Sequence, residues 1–285
     1  MDDYPDSADT VEKAVKKAKE VDSILKNGDF YQTKWLSNSP EFNARFQQSS
    51  GGKEQVELGQ SDEETKVLGV CWKPATDKLT FIITKPEVTF SKRGLLSLIA
   101  GVFDPLGLAA PLVVKAKIRL RLVGVQNRLW DTELEEEDKT WWKRWIQKLD
   151  ILNEAKIPRC IAPGENVKEV QLHTFSDASE EAFAAVLYLR TTDINGEVNI
   201  ELIMAKTKLA ATKTVSVAKL ELNAAVLGAR LAKYVEEGMA RKVDKRFFWT
   251  DSSCVRNWIR ASAASYMPFV NHRIGEIQTI TEATE

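Results

Sequence analysis

The sequence predicts a mixed α/β protein, a mixed sheet with flanking helices, preceded by a mostly helical connecting region that carries a β-hairpin. Three observations lead there. From Lys168 onward the apolar pattern runs strand, strand, Asn195-Gly196, strand, long helix, strand and two more helices. Asn-Gly between two strand-like runs supplies the positive-φ residues that a tight hairpin turn needs. Between Lys92 and Leu149 the apolar residues instead recur at helical spacing.

In chain order, residues 10–27 read as a helix. Thr10 is its N-cap, Val11, Val15, Ala18, Val21 and Leu25 form one stripe, and Gly28 stops it. "FYQTKWL" reads as a strand, and the polar, Gly-rich stretch 49–65 reads as a loop. "KVLGVCWKP" and "KLTFIIT", joined by "ATD", form a hairpin. "GLLSLIAGVFDPLG" is helical up to a break at Pro105, and the helix restarts with Pro111 in its first turn. "LEEEDKTWWKRWIQKL" is a further amphipathic helix with Trp141, Trp145 and Leu149 on one face. The second unit takes strands at 168–177, 183–191 and 197–206, then a helix at 216–238. The strand "KRFFWTD" and helices at 253–261 and 268–281 complete it. No internal repeat interrupts this order.

With 44% hydrophobic and 28% charged residues, the chain has the balance of a folded soluble domain rather than a disordered one. No apolar run is long enough to span a membrane, so no membrane partner is expected. Three dispersed cysteines and two histidines speak against a zinc site or a disulfide framework. They suit an intracellular protein, cytoplasmic or nuclear. A net charge of −1 gives no global nucleic-acid signal, although a local basic patch can suffice.

The chemistry rests on carboxylates. Asp177 ends the strand in which Val170, Leu172 and Thr174 alternate with Gln171, His173 and Phe175. Asp251 ends the strand in which Phe247 and Trp249 share its face. Each aspartate has a purely local alternative: Asp177 as a turn former, and Asp251, Ser252 or Ser253 as the cap of the next helix. Glu221 falls on the helix face made by Val217, Ala224, Ala225 and Gly228, which should meet the sheet. There it either snorkels to solvent or is paired, because an isolated buried charge is costly. Taken together, three oxygen ligands suit a site for two magnesium or manganese ions of the kind that catalyses phosphoryl transfer.

The order "TFSDAS", "KLELNAA", "WTDSS" resembles the ribonuclease H domain of retroelements. More narrowly, "LLSLIAGVFDPLGLAAPLVVKAKI", "TKTVSVAKLELNAAVLGARL" and "FVNHRIGEIQ" resemble BEL/Pao retrotransposon polyproteins over nearly the whole chain. That resemblance implies a remnant of the reverse-transcriptase palm at 1–35, with Met1-Asp2-Asp3 as the tail of its catalytic motif. A connection region at 36–160 would follow, then a C-terminally truncated ribonuclease H-like domain at 168–285. The implied reaction is hydrolysis of the RNA strand of an RNA/DNA hybrid, with Asp177, Glu221 and Asp251 as catalytic residues and metal ligands. Of two Mg2+ (or Mn2+) ions, one would activate water and the other would stabilise the leaving 3′ oxygen.

Hybrid recognition in such domains rests on backbone and 2′-hydroxyl contacts. Lys206, Lys208, Lys213 and Lys219 are candidate phosphate contacts, or simply a solvated basic loop. Other polyprotein segments are the implied partners. A fourth carboxylate belongs to the resembled site, and after Asp251 the chain offers only Glu276, Glu282 and Glu285. A non-catalytic scaffold or nucleic-acid-binding module is therefore the alternative. The stretch 66–190 also resembles a segment catalogued as the Pao retrotransposon peptidase, yet "FSDAS" and "TDSS" lack the Gly of an aspartic-peptidase turn.

Overall fold

The computed structural model describes residues 6–32, 35–47, 65–67, 70–81, 83, 88–125, 129–161, 166–213, 215–239 and 241–282. The chain divides into two compact units, Met1–Ile82 with Ile151–Cys160, and Ile83–Asp150 with Ile161–Glu285. Among the described residues no helix is long and apolar enough to cross a membrane.

In the first unit, helix α1 (Val11–Lys26) starts where Thr10 Oγ1 accepts a hydrogen bond from Lys13 N at 3.3 Å. Its left-handed residue is Asp29 (φ 59°) rather than Gly28, and Phe30 N reaches back to Leu25 O. "FYQTKWL" is not a strand among the described residues. Trp35 instead packs on Phe42 and Phe46 of helix α2 (Pro40–Gln47), at ring-centroid distances of 6.4 and 5.2 Å. Burial against an aromatic helix face replaces strand pairing there. The expected loop lies outside the described residues up to Thr65, where β1 (Thr65–Val67) begins.

The run read as the hairpin's first strand is in fact two, β1 and β2 (Val70–Lys73). Strand β3 (Lys78–Thr80) pairs with β2 across a turn in which Asp77 is left-handed. Strand β4 (Ile157–Pro158) extends the sheet. Arg159 clamps Asp77 through Nε at 2.6 Å and Nη2 at 3.0 Å, a bidentate pair that fixes the turn.

The second unit opens with α3 (Lys92–Ala100), whose N-cap is Ser91. The helix ends five residues before Pro105. In the turn that follows, the Asp104 carboxylate accepts from Leu108 N and Ala109 N at 2.8 and 2.7 Å. Helix α4 (Ala110–Val125) resumes as expected, with Pro111 in its first turn. Of the face expected on α5 (Glu136–Lys148), Trp145 and the C-cap Leu149 are buried, while Trp142 takes the buried place and Trp141 is half-buried. Asp138, one turn before Trp142 and buried with it, accepts from Arg119 (Nη2 to Oδ1, 2.6 Å). A single turn, α6 (Asp150–Asn153), follows where the chain passes back into the first unit.

The sheet that positions the site has the order β7-β6-β5-β8. Strands β5 (Val167–Ala178), β6 (Ala182–Asp193) and β7 (Val198–Leu209) form an antiparallel meander, with Gly196 at φ 89° in the turn. Helix α7 (Val217–Gly238) crosses over to β8 (Lys245–Trp249), which lies parallel to β5. Helices α8 (Ser253–Arg260) and α9 (Pro268–Ile280) complete the unit.

The core forms where Val170, Leu172, Ala185 and Leu187 meet Leu227, Leu231 and Val235 of α7. The other flank of α7, through Leu222 and Val226, packs on Val255, Val270 and Ile274. The segment before α4 lies against β7: Ala205 N donates to Leu106 O at 2.8 Å. Gly107, at φ 76°, sits so close that an added Cβ would fall 1.8 Å from Ala205 O, so only glycine fits.

Candidate active site

Asp177 lies near the C-terminal end of β5, one residue before the strand closes. β5 and β8 run parallel, and Phe175 pairs with Trp249 at the end of their shared register. Asp177 and Asp251 each stand two residues beyond that pair. Neighbouring parallel strands therefore deliver both aspartates to the same sheet end. Ser176 Oγ lies 3.4 Å from the Trp249 carbonyl oxygen it donates to, linking the two strand ends.

Glu221 arrives from α7. Glu236, near the helix C-terminus, pairs at 3.2 Å with Arg246, which is in register with Leu172. Gly228 abuts Thr174 and Ser176, further along β5, and Ala185 of β6. The helix thus runs back along the strand, with its N-terminal part toward Asp177. From Gly228 to Glu221 the helix advances about 10 Å, and from Thr174 to Asp177 the strand advances about as far. All three carboxylates lie toward one end of one sheet.

They reach it from different faces. Val170, Leu172 and Thr174 are buried toward α7, so Asp177 belongs by alternation to the opposite face, with His173 and Phe175. Glu221, half-buried, comes from the helix side. Asp177 and Asp251 are exposed, and Asp177 Oδ1 accepts from Ala178 N at 2.7 Å. Among the described residues, no three His, Cys, Asp or Glu side chains are gathered closely enough to hold a metal ion. The donor set, oxygen only, matches the chemistry of magnesium or manganese.

The local alternative for Asp251 is decided by its neighbour. Ser252 is the N-cap of α8, its Oγ accepting from Val255 N at 3.3 Å. Asp251 is left with its carboxylate exposed.

The sheet face opposite α7 is aromatic. His173 stacks on Phe247 at 4.8 Å, and Phe175 on Trp249 at 5.9 Å. Trp249 Nε1 donates to His173 Nδ1 at 3.2 Å, which fixes the neutral tautomer whose Nε2–H faces Gln171 Oε1. Burial first, and then the charge of Arg190, hold the His173 pKa below its ordinary value. Periodicity revealed the aromatic face but not this hydrogen bond.

Of the candidate phosphate contacts, Lys206, Lys208 and Lys213 are exposed, and the Lys219 ammonium lies 5.3 Å from the centre of the Phe269 ring. Glu276 is engaged by Arg230, whose Nη2 donates to Oε2 at 2.8 Å. No sequence signal connected those two residues, because their pairing joins helices far apart in the chain.

Residues 91–252, which contain all three carboxylates and more than half of the chain, match the family model of the Pao retrotransposon-like RNaseH-like domain. The chain belongs to this family. The match takes in helices α3–α5, the sheet β5–β8 and helix α7, and ends just before α8. No curated protein matches this chain.

Among solved structures, an RNase H1 from the halophilic archaeon Halobacterium salinarum aligns at 12% identity and a TM-score of 0.25. The alignment covers 40% of this chain and 77% of that one. A foamy viral protease-reverse transcriptase in complex with double-stranded DNA aligns at 12% identity and a TM-score of 0.42, over 76% of this chain and 35% of the viral one. A second such foamy viral complex gives 13%, 0.25, 95% and 50%. The Pao RNaseH-like chain thus spans half or less of these viral chains. At such low similarity the family assignment stands on the sequence match alone.

Proposed function

We propose that this Pao RNaseH-like domain hydrolyses the RNA strand of RNA/DNA hybrids, with Asp177, Glu221 and Asp251 holding Mg2+ or Mn2+. The observation that carries this reading is the delivery of all three carboxylates to one sheet end within the family-matched region. The bound ions supply charge stabilisation to the phosphoryl oxygens. The protein's own part is positioning. Asp177 and Asp251 each follow the last β5–β8 register pair by two residues, and the close approach of α7 to β5 at Gly228 sets where Glu221 enters. Ser252 caps α8, which leaves the Asp251 carboxylate available as a ligand. By the same reading the chain is a polyprotein segment, with a palm remnant at 1–35 and a connection at 36–160.

A second reading, a non-catalytic nucleic-acid-binding module, is favoured by the carboxylates not being gathered into one cluster among the described residues. Incubation with a labelled hybrid separates the two. Hydrolysis is expected in magnesium and should be lost in EDTA and in Asp177→Asn. Binding without cleavage in any divalent metal supports the module. Cleavage that persists in Asp177→Asn removes the catalytic assignment.

A further inference from the structure

A cavity of about 350 Å³ is lined by residues of β6, β7, α7 and α9. Phe183, Val226 and Leu227 give it an apolar part. Its charged lining is uneven: Lys208, Arg230 and Arg273 face a single carboxylate, Glu276. That carboxylate is already occupied, since both of its oxygens accept from Arg230. Lys208 makes no ion pair among the described residues.

Arg273 is held in place before any ligand arrives. Its Nε donates to Asn223 Oδ1, its Nη1 donates to the Phe269 carbonyl at 2.9 Å, and its guanidinium lies 3.5 Å from the Phe269 ring centre. A planar cation fixed in this way loses little freedom on binding an oxyanion. Burial first, and then the charge of Arg230, lower the Arg273 pKa from its ordinary value, with Glu276 acting in the opposite sense. The cavity therefore holds an uncompensated positive charge that an anion would relieve.

Its place on the sheet narrows the choice of anion. Phe183 is in register with Ala178 on one side and Lys208 on the other, so the cavity opens at the sheet end that carries Asp177. Lys206, two residues before Lys208 on the same face of β7, is also exposed and extends the basic track. A track suits a polyanion more than a single small ion.

We propose that this cavity binds a backbone phosphate of a nucleic-acid strand, with Lys208, Arg230 and Arg273 as donors. The inference rests on the nucleic-acid reading above, but it concerns residues outside the carboxylate set. The test is the affinity of the full chain for a fluorescent RNA/DNA hybrid, measured in EDTA across a salt series, for wild type, Lys208→Ala and Arg273→Gln. Each variant should weaken binding several-fold and lower the slope of log affinity against log salt by about one, the signature of one lost phosphate contact.

Lys208 is an exposed strand residue, so Lys208→Ala decides the matter should Arg273→Gln fail to fold. Unchanged affinity and slope in Lys208→Ala overturn the proposal. So does full competition by AMP or inorganic phosphate at matched ionic strength, which would make the cavity a small-anion site. Because binding is read without metal, absent hydrolysis in magnesium counts against the hydrolase and leaves this inference standing. Hydrolysis combined with unaltered Lys208→Ala binding sinks this inference alone.

Discussion

Gly228 of α7 lies so close to Thr174 of β5 that an added Cβ would come within 2.9 Å of Thr174 Cγ2. Helix and strand touch at a point where a side chain is excluded. Glu221 sits about two turns before that contact, so its depth at the sheet end follows from it.

Gly228→Ala should therefore destabilise the second unit. Alanine improves intrinsic helix propensity by about 1 kcal/mol. Against that, Thr174 is fully buried and β-branched, so it has no free rotamer to retreat into. Overpacking of this kind costs about 1–3 kcal/mol. We expect a net loss on the order of 1 kcal/mol in urea unfolding. A variant as stable as wild type would mean that α7 rides away from β5 without penalty.

His173 gives the fold a pH dependence in the mildly acidic range. Its folded pKa lies below the ordinary 6.5, so the unfolded chain binds the proton more readily than the folded one. Stability should be complete above about pH 7 and fall as the solution passes below 6.5 toward the folded pKa. Protonation of Nδ1 would also abolish the bond from Trp249 Nε1. Carboxylates whose pKa is held low, such as Glu169 and Glu276, lose their contribution only at more acidic pH. Melting curves from pH 8 to pH 5 should slope for wild type and flatten for His173→Phe. Parallel slopes would remove His173 as the cause.

Asp251→Asn tests the metal site without any substrate. Ser252 already caps α8, so losing the Asp251 charge should leave the metal-free melting temperature close to wild type in EDTA. Excess magnesium should raise the melting temperature of wild type more than that of the variant, because it binds only the folded site. Equal shifts in the two proteins would show that Asp251 is no ligand.

No proteolysis is expected. Asp177 is followed by Ala178-Ser179 and Asp251 by Ser252-Ser253, without the glycine that peptidase turns require. Long incubation should produce no pepstatin-sensitive fragment. Appearance of one that vanished in Asp177→Asn would require a different reading of these aspartates.

Much of the second unit was legible in the sequence because its signals are local. Alternation over Val170–Phe175 fixed the buried face of β5, Asn195-Gly196 fixed a hairpin, and the small residues of α7 marked the face that meets the sheet. The same signals failed where packing outweighed pattern. "FYQTKWL" has strand composition, but Trp35 found aromatic partners on α2. Trp141 and Trp142 are neighbours on the helix, and it is Trp142, on the side where Arg119 pairs with Asp138, that is buried.

The sequence by itself determined which carboxylates end the central strands and which one faces the sheet, since period two and period 3.6 are properties of the chain alone. Only the tertiary structure decided how they meet. The parallel register of β5 with β8 and the reversed run of α7 bring them to one end, while the alternation of β5 sets Asp177 on the face away from Glu221. The pairing of Arg230 with Glu276 and of Arg273 with Asn223 likewise join residues 46 and 50 positions apart. No local pattern encodes such pairings, because they depend on where two helices come to rest against each other.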